Sequence, residues 1–288
     1  MSLPPFTFTG GTAVVTGAAG GMGEHLARGL AERGCALILV DRDGGKLDAV
    51  AASIRSVFPS QTVGTHVVDL SDGAAVVALA EDILESTPSI SLLINNAGVA
   101  LAGRFEQIAL DDFDWVLNVN FRAPVLLTHY LLPRIGPGGH LVNVSSLFGL
   151  VAPRGQTAYS SSKFAIRGFT EALRNELGPR GIGVTSVHPG GVKTGIALNA
   201  RVAGGLSTAE QEKSKQEFNR LLTFPADRAA ELILHAVQHR RHRLLIGASA
   251  RIPDIIARIA PGSFGTFERW AIKAAARSNG RKSRGRFR

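Results

Sequence analysis

The chain has 288 residues, 45% of them hydrophobic and 19% charged, enough for one large domain with a substantial core and too apolar for disorder throughout. Its net charge of +9 is concentrated at one end: residues 269–288 hold eight basic and no acidic side chains, while residues 1–268 hold 24 basic and 23 acidic. A nearly neutral body argues against specific nucleic-acid recognition by the folded part, which needs basic groups on the domain itself.

No apolar run reaches bilayer length, and Met1-Ser2-Leu3-Pro4-Pro5 lacks a basic stretch leading into an apolar core. Neither a transmembrane helix nor a secretory signal is expected. The single cysteine, Cys35, cannot form an internal disulfide, which fits a cytoplasmic location.

In chain order, short apolar runs at 13–16, 36–40, 63–68, 92–94, 140–144, 184–187 and 244–246 alternate with amphipathic runs near 22–33, 43–57, 72–87, 111–132, 157–177 and 225–239. Continuous rather than alternating apolar runs belong to parallel strands covered on both faces. The alternation predicts an α/β fold with a doubly wound parallel sheet and right-handed crossovers. The first six strands fit the two halves of a Rossmann fold, and 244–246 adds a seventh at an edge. No repeat and no linker divides the chain. Segment 195–224 breaks the alternation; polar in the middle and apolar at its ends, it reads as a lid.

Thr16-Gly17-Ala18-Ala19-Gly20-Gly21-Met22-Gly23 follows the first strand and opens the first helix. Glycines let the backbone turn and let a pyrophosphate approach without a Cβ in the way, and the helix start supplies unpaired N–H groups. Asp41 ends the second strand, 18 residues after Gly23, where a carboxylate accepts from adenosine ribose hydroxyls and repels a 2′-phosphate. That argues for NAD over NADP, although the adjacent Arg42 has the chemistry to bind such a phosphate. Asp69-Leu70 follows the third strand, and Asn95-Asn96-Ala97-Gly98 ends the fourth; both lie at carboxyl ends, where open α/β sheets bind ligands. Asp69 can accept from an adenine amine or cap the helix starting near Asp72. Asn95 and Asn96 fit a turn, and Gly98 permits close approach of a cofactor.

Only two tyrosines are present. Tyr159 and Lys163 are four residues apart within the helical run 157–177, so they share a face. A phenol is a poor base at neutral pH, and a nearby ammonium stabilises its phenolate. The pair therefore suits general acid/base work. Ser145-Ser146 closes the fifth strand just before this helix, and Ser146 can orient a carbonyl oxygen that Tyr159 protonates. Asn118 and Asn120 lie on an otherwise apolar stretch, and either can bend the helix or hold water.

Taken together, Thr16-Gly17-x-x-x-Gly21-x-Gly23, Asn95-Asn96-Ala97-Gly98, Ser146 thirteen before Tyr159, Tyr159-x-x-x-Lys163 and Pro189-Gly190-x-x-x-Thr194 resemble a short-chain dehydrogenase/reductase over about residues 8–250. Gly17, Gly20 and Gly23 also fit the loop of the longer epimerase/dehydratase branch, but the short chain, the Asn95–Gly98 turn and Pro189-Gly190 favour the compact dehydrogenase branch. The resemblance implies that Tyr159 moves the hydroxyl proton and that Lys163 lowers its pKa and binds the nicotinamide ribose. It implies that Ser146 polarises the substrate oxygen and that Asn120 holds the water of a proton relay. Cofactor contacts are expected from Gly17, Ala19, Gly21, Met22, Gly23, Asp41, Arg42, Asp69, Leu70, Asn96, Ala97, Gly98, Pro189 and Gly190, with Thr194 and the Val192 backbone on the carboxamide. No metal is expected.

The expected activity is hydride transfer between NAD(H) and a secondary alcohol or ketone. The apolar Leu147, Phe148, Val192, Ile196, Leu198, Phe218 and Leu221 suggest a lipophilic substrate. By the resemblance, residues 1–250 form one catalytic domain, assembling as a homodimer or homotetramer. Residues 251–288 form an extension in which Phe267, Trp270, Ala271 and Ala274 share one helical face, with Arg269, Lys273 and Arg277 on another. That pattern suits peripheral contact with an anionic membrane, or a helix docked on the body followed by a basic end. A different reading of the chain is a cofactor-bound sensor or scaffold recruited through this tail.

Overall fold

In chain order the computed structural model, which describes residues 3–204, 212, 216, 218–220, 222–260 and 262, has nine strands. They are β1 (Thr12–Thr16), β2 (Ala36–Asp41), β3 (Val63–Val67), β4 (Leu92–Asn95), β5 (Leu101–Ala102), β6 (His140–Val144), β7 (Gly183–Pro189), β8 (Arg201–Val202) and β9 (Arg243–Ile246). The main sheet runs β3-β2-β1-β4-β6-β7-β9, and every neighbour is parallel. The seven expected strands are all present, and 243–246 occupies the expected edge. The direction of winding reverses between β1 and β4, which opens a crevice at the carboxyl end of the sheet.

The helices are α1 (Gly21–Glu32), α2 (Gly44–Val57), α3 (Gly73–Ser86), α4 (Leu110–Leu117), α5 (Ala123–Leu131), α6 (Thr157–Leu177), α7 (Ala226–Gln238) and α8 (Ala248–Ile259). Because successive strand residues face opposite ways, β1 sends Ala13 and Val15 into one core and Val14 into the other. The first core packs Leu26 and Leu30 of α1, Leu47 and Ile54 of α2 and Ile233 and Leu234 of α7 against the sheet. The second packs Val76 and Leu79 of α3, Leu127 and Leu131 of α5 and Leu173 and Leu177 of α6. Truncating any of these leucines to alanine removes on the order of 2–5 kcal/mol, so both layers hold the crevice in shape.

Two departures from the sequence reading bear on the site. The run expected as one helix over 111–132 is divided: α4 and α5 are joined by a wide π turn, Asn118–Arg122, in which the Ala123 N–H reaches back to the Asn118 carbonyl. Turns of this kind re-aim one side chain within an otherwise continuous helix. The start of the expected lid is tied down rather than free-standing. Leu101 pairs with Arg201 and Ala102 with Val202, and Ala197 and Ala203 are buried. Leu221 and the tail residues Phe267, Arg269, Trp270, Ala271, Lys273, Ala274 and Arg277 lie outside the described residues.

Candidate active site

The carboxyl ends of β1, β2, β4, β6 and β7 surround a cleft of about 910 Å³. At one end the chain leaves β1 through Gly17, whose φ of +67° favours glycine. A Cβ on Gly17 would lie 2.9 Å from the Ala97 Cα, and one on Gly23 only 1.9 Å from the Gly17 carbonyl oxygen. These glycines therefore let β1, α1 and the turn after β4 meet. The cap of α1 is Gly20, which carries no side chain to bond the first-turn N–H groups, and Gly20, Gly21 and Met22 line the cleft. Unpaired amides and the positive end of the helix dipole thus face the space an anion would take.

Asp41 fastens this loop. Its carboxylate accepts from the Ala19 N–H at 3.0 Å and from the Asp43 N–H at 3.1 Å while still lining the cleft. Arg42 and Lys46 line the same end, and Lys46 is paired with Asp43 at 2.7 Å. Asp69 accepts from the Ser71 N–H at 2.9 Å and the Ser71 hydroxyl at 2.8 Å, which hold its carboxyl below the usual carboxylate range. Asp72, not Asp69, caps α3, accepting from the Ala74 and Ala75 N–H groups. Asp69 and the buried Leu70 both line the cleft.

The two asparagines after β4 part company. Asn95 is turned into the core, where it donates to Asn143 at 2.8 Å. Asn96 lines the cleft and stitches two strand ends together, its amide donating to the Thr16 carbonyl at 3.0 Å while Thr16 accepts from the Asn96 and Ala97 N–H groups. On the far wall Pro189, Gly190, Val192 and Thr194 line the cleft. The Thr194 side chain lies 3.2 Å from where a Cβ on Gly21 would sit. The Val192 N–H donates to the Gly190 carbonyl at 3.0 Å, which holds this stretch of backbone in a tight turn at the cleft wall.

At the opposite end α6 presents Tyr159 and Lys163 side by side. Both are buried, and both line the cleft. The Phe148 ring meets the Tyr159 ring edge-on, with centroids 6.0 Å apart. The Lys163 ammonium donates to the Val144 carbonyl at 3.0 Å and lies 5.7 Å from the Tyr159 ring centroid. Burial pushes the phenol up to about 12, opposed by hydrogen bonding with Ser146, and pushes the lysine down to about 8. The lowered tyrosine pKa expected from the spacing is therefore not a property of these two groups alone. The ammonium sits over the ring, and desolvation weakens its own charge.

Of the two serines after β6, Ser145 donates to the Lys163 carbonyl at 2.8 Å and pins α6 to the sheet. Ser146 accepts from the Phe148 N–H at 3.1 Å, which leaves its proton to donate toward the cleft. The π turn resolves the other pair. Asn120 is buried just behind the cleft wall, accepting from the Val99 N–H at 2.8 Å and donating to the Val99 carbonyl at 2.9 Å and to Ser162 at 3.0 Å. A Cβ on Gly98 would lie 3.4 Å from the Asn120 Oδ1 and 3.2 Å from the Lys163 Nζ.

Besides Lys46, sequence reasoning missed several other participants. His188, fully buried beneath the site, bonds the Ser146 carbonyl at 3.2 Å and the Ser186 hydroxyl at 2.9 Å, and burial pushes its pKa down to about 4. Ser249 at the start of α8 accepts from the Gly191 N–H at 3.2 Å and lines the cleft. Leu222 lines it as well. His188 stands beside the Pro189-Gly190 pair, but its role depends on β6 lying alongside β7, and no local pattern marks that. Of the apolar residues expected in the pocket, Leu147, Phe148, Val192, Ile196 and Phe218 line the cleft, while Leu198 is exposed and does not.

A row of unpaired amides at one end, a carboxylate beside it and a phenol–hydroxyl–ammonium group at the other make a cradle that fits a dinucleotide with a reacting carbon beside its far end. Among the described residues no group of histidine, cysteine, aspartate or glutamate side chains is arranged to hold a metal. A family model described as short chain dehydrogenase matches residues 11–203. A putative oxidoreductase of Mycobacterium tuberculosis, SadH, is 37% identical over 268 residues, covering 90% of this chain and 94% of that protein. Among solved structures, a short chain dehydrogenase/reductase from Burkholderia phymatum in complex with NAD superposes with a TM-score of 0.79 at 30% identity, covering 88% of this chain and 96% of that one. A short chain dehydrogenase from Burkholderia cenocepacia in complex with NADP gives 0.72 at 30% identity, covering 85% and 99%.

Proposed function

The chain belongs to the short-chain dehydrogenase/reductase family, and on that premise we propose that it is an oxidoreductase moving a hydride between NAD(H) and a secondary alcohol or ketone, with Tyr159 as general acid and base. The observation that carries the proposal is the placement of Tyr159, Ser146 and Lys163 at one end of a cleft whose other end is the glycine loop.

A bound nicotinamide supplies or accepts the hydride, and its oxidised ring adds the positive charge that lowers a neighbouring phenol's pKa. The α1 start, Asp41, Asp69, Leu70, Asn96, Ala97 and Gly98 would hold the adenosine and pyrophosphate portion. Lys163 and Thr194 would hold the nicotinamide portion. Ser146 holds the substrate oxygen beside the Tyr159 hydroxyl, which gives its proton in reduction and takes it in oxidation. Asn120, fixed by three hydrogen bonds, keeps the π turn against Val99 and Ser162 and so sets the wall behind Lys163.

Asp41 favours NAD, because its carboxylate repels a 2′-phosphate; Arg42 beside it works the other way. The apolar Leu147, Phe148, Ile196, Phe218 and Leu222 favour a lipophilic substrate, and segment 195–224 serves as its lid. By the resemblance the chain acts as a homodimer or homotetramer; its single cysteine fits the cytoplasm, and among its described residues no helix is long and apolar enough to cross a membrane. A purely cofactor-bound sensor has no use for Ser146, Tyr159 and Lys163 together, so that reading is less well supported.

The test is a panel of alcohols and ketones run in parallel with NADH, NADPH and their oxidised forms, following absorbance of the reduced nicotinamide. Turnover that disappears in Tyr159→Phe supports the proposal. Binding of either cofactor with no turnover on any member of the panel would turn the reading toward the sensor.

A further inference from the structure

α8 (Ala248–Ile259) is amphipathic in an unusual sense: one face is buried, and the opposite face is apolar rather than polar. Ala250 and Asp254 are buried, whereas Ile252, Ile255 and Ile259 are 58%, 55% and 80% exposed. At 100° per residue the three isoleucines fall within about 60° of arc, and Arg251 and Arg258, both exposed, form the adjoining edge. The acid of this helix offsets Arg258 in part and leaves Arg251 without an acidic partner among the described residues. Asp254 points inward and is paired with Arg243 at 3.1 Å and Arg258 at 3.2 Å. Isolated exposed isoleucines are ordinary, but three aligned on one face beside two arginines are not.

The charge of the chain points to the occupant. Past residue 262 the sequence carries eight basic residues and one acidic residue, Glu268, while the body is close to neutral. An apolar stripe edged by arginines, leading into a strongly cationic segment, is complementary to a surface both apolar and negatively charged. A second copy of this chain would bring the same positive charges against themselves. We infer that the Ile252–Ile255–Ile259 face of α8 docks on an anionic lipid surface, with the isoleucines entering the acyl boundary and Arg251 and Arg258 at the headgroups. α8 begins at the cleft wall through Ser249 and packs on the Leu147–Gly149 turn. Docking therefore holds the site within about 18 Å of the lipid, the length of the helix, where lipophilic molecules are most concentrated.

The experiment uses the full chain with phosphatidylcholine vesicles, alone or doped with phosphatidylglycerol, and reads co-sedimentation. The parent protein should bind the doped vesicles and not the neutral ones, and binding should weaken as salt is raised. Changing Ile252, Ile255 and Ile259 together to serine should lower binding by more than about tenfold, because the apolar contribution is lost while every basic residue stays. The positions are exposed, so the melting temperature and turnover should match the parent. A second variant places the contact itself. Cys35 is buried, so an environment-sensitive thiol dye on Ile255→Cys reports that position alone. Its emission should shift to the blue with doped vesicles and stay fixed with neutral ones. Unchanged binding by the triple serine variant, or a dye that never shifts, overturns the inference and leaves the basic tail as the only contact. A triple variant that changes the oligomeric state overturns it in favour of an interface between copies.

Discussion

The Lys163 ammonium lies 5.7 Å from the centre of the Tyr159 ring, one helical turn along α6, yet its hydrogen bond goes to the Val144 carbonyl. The lysine is thereby aimed along the wall of the cleft, and the phenol's direct partner is Ser146. In the protein by itself burial dominates both groups, holding the phenol protonated and bringing the lysine near 8. Removing the hydroxyl should accordingly abolish chemistry without disturbing the cradle. Tyr159→Phe is expected to lower kcat by about 10²–10⁴-fold, with NADH binding, read by fluorescence, unchanged.

Asn120 and Asn118 should differ sharply. Asn120→Ala strands the half-buried Val99 N–H and carbonyl and should cost roughly 1–3 kcal/mol, seen as a clear fall in melting temperature. Asn118→Ala should stay within about 0.5 kcal/mol of the parent, since Asn118 enters the π turn through its carbonyl. Equal melting temperatures would refute the placement of Asn120 as the clasp of the π turn.

The glycine loop offers a paired control. Gly23→Ala places a Cβ 1.9 Å from the Gly17 carbonyl, so the turn must open, and both cofactor affinity and stability should fall. Gly20→Ala meets nothing within 4 Å, and its φ of 174° is extended backbone open to any residue. Calorimetry of the two variants should separate them, with Gly20→Ala retaining the parent's melting temperature.

Acid should weaken the fold before most carboxylates titrate. Burial holds His188 near 4 and His140 near 3, against 6.5 for a free imidazole. The folded form thus refuses protons that the unfolded chain accepts. The stability these neutral rings allow is complete above about pH 6.5 and declines as pH falls toward 4, by up to about 3 kcal/mol for His188. Thermal melts across that window should show the decline, and His188→Asn should remove the His188 share of it, leaving that of His140, while altering kcat through the Ser146 carbonyl.

Cofactor choice tests the carboxylate at the end of β2. Asp41→Asn keeps an acceptor for the Ala19 N–H and removes the repulsion of a 2′-phosphate beside Arg42. The ratio of kcat/KM for NADPH over NADH should rise by more than about tenfold. No change would mean that Asp41 serves the loop alone.

Sequence by itself determined the sheet, because strands buried on both faces must be short and wholly apolar, and helices between them must repeat every third or fourth residue. It also marked the glycine loop, Asp41, Ser146, Tyr159 and Lys163, since turn chemistry and helical spacing are written locally. Only the tertiary structure gave Asn118 and Asn120, Asn95 and Asn96, and Ser145 and Ser146 their different partners, because like neighbours in the chain are turned to opposite sides by the pleat of a strand or a π turn. It also placed His188 under Ser146 and drew β8 onto β5, since those contacts join segments about 40 and 100 residues apart whose meeting no local period encodes.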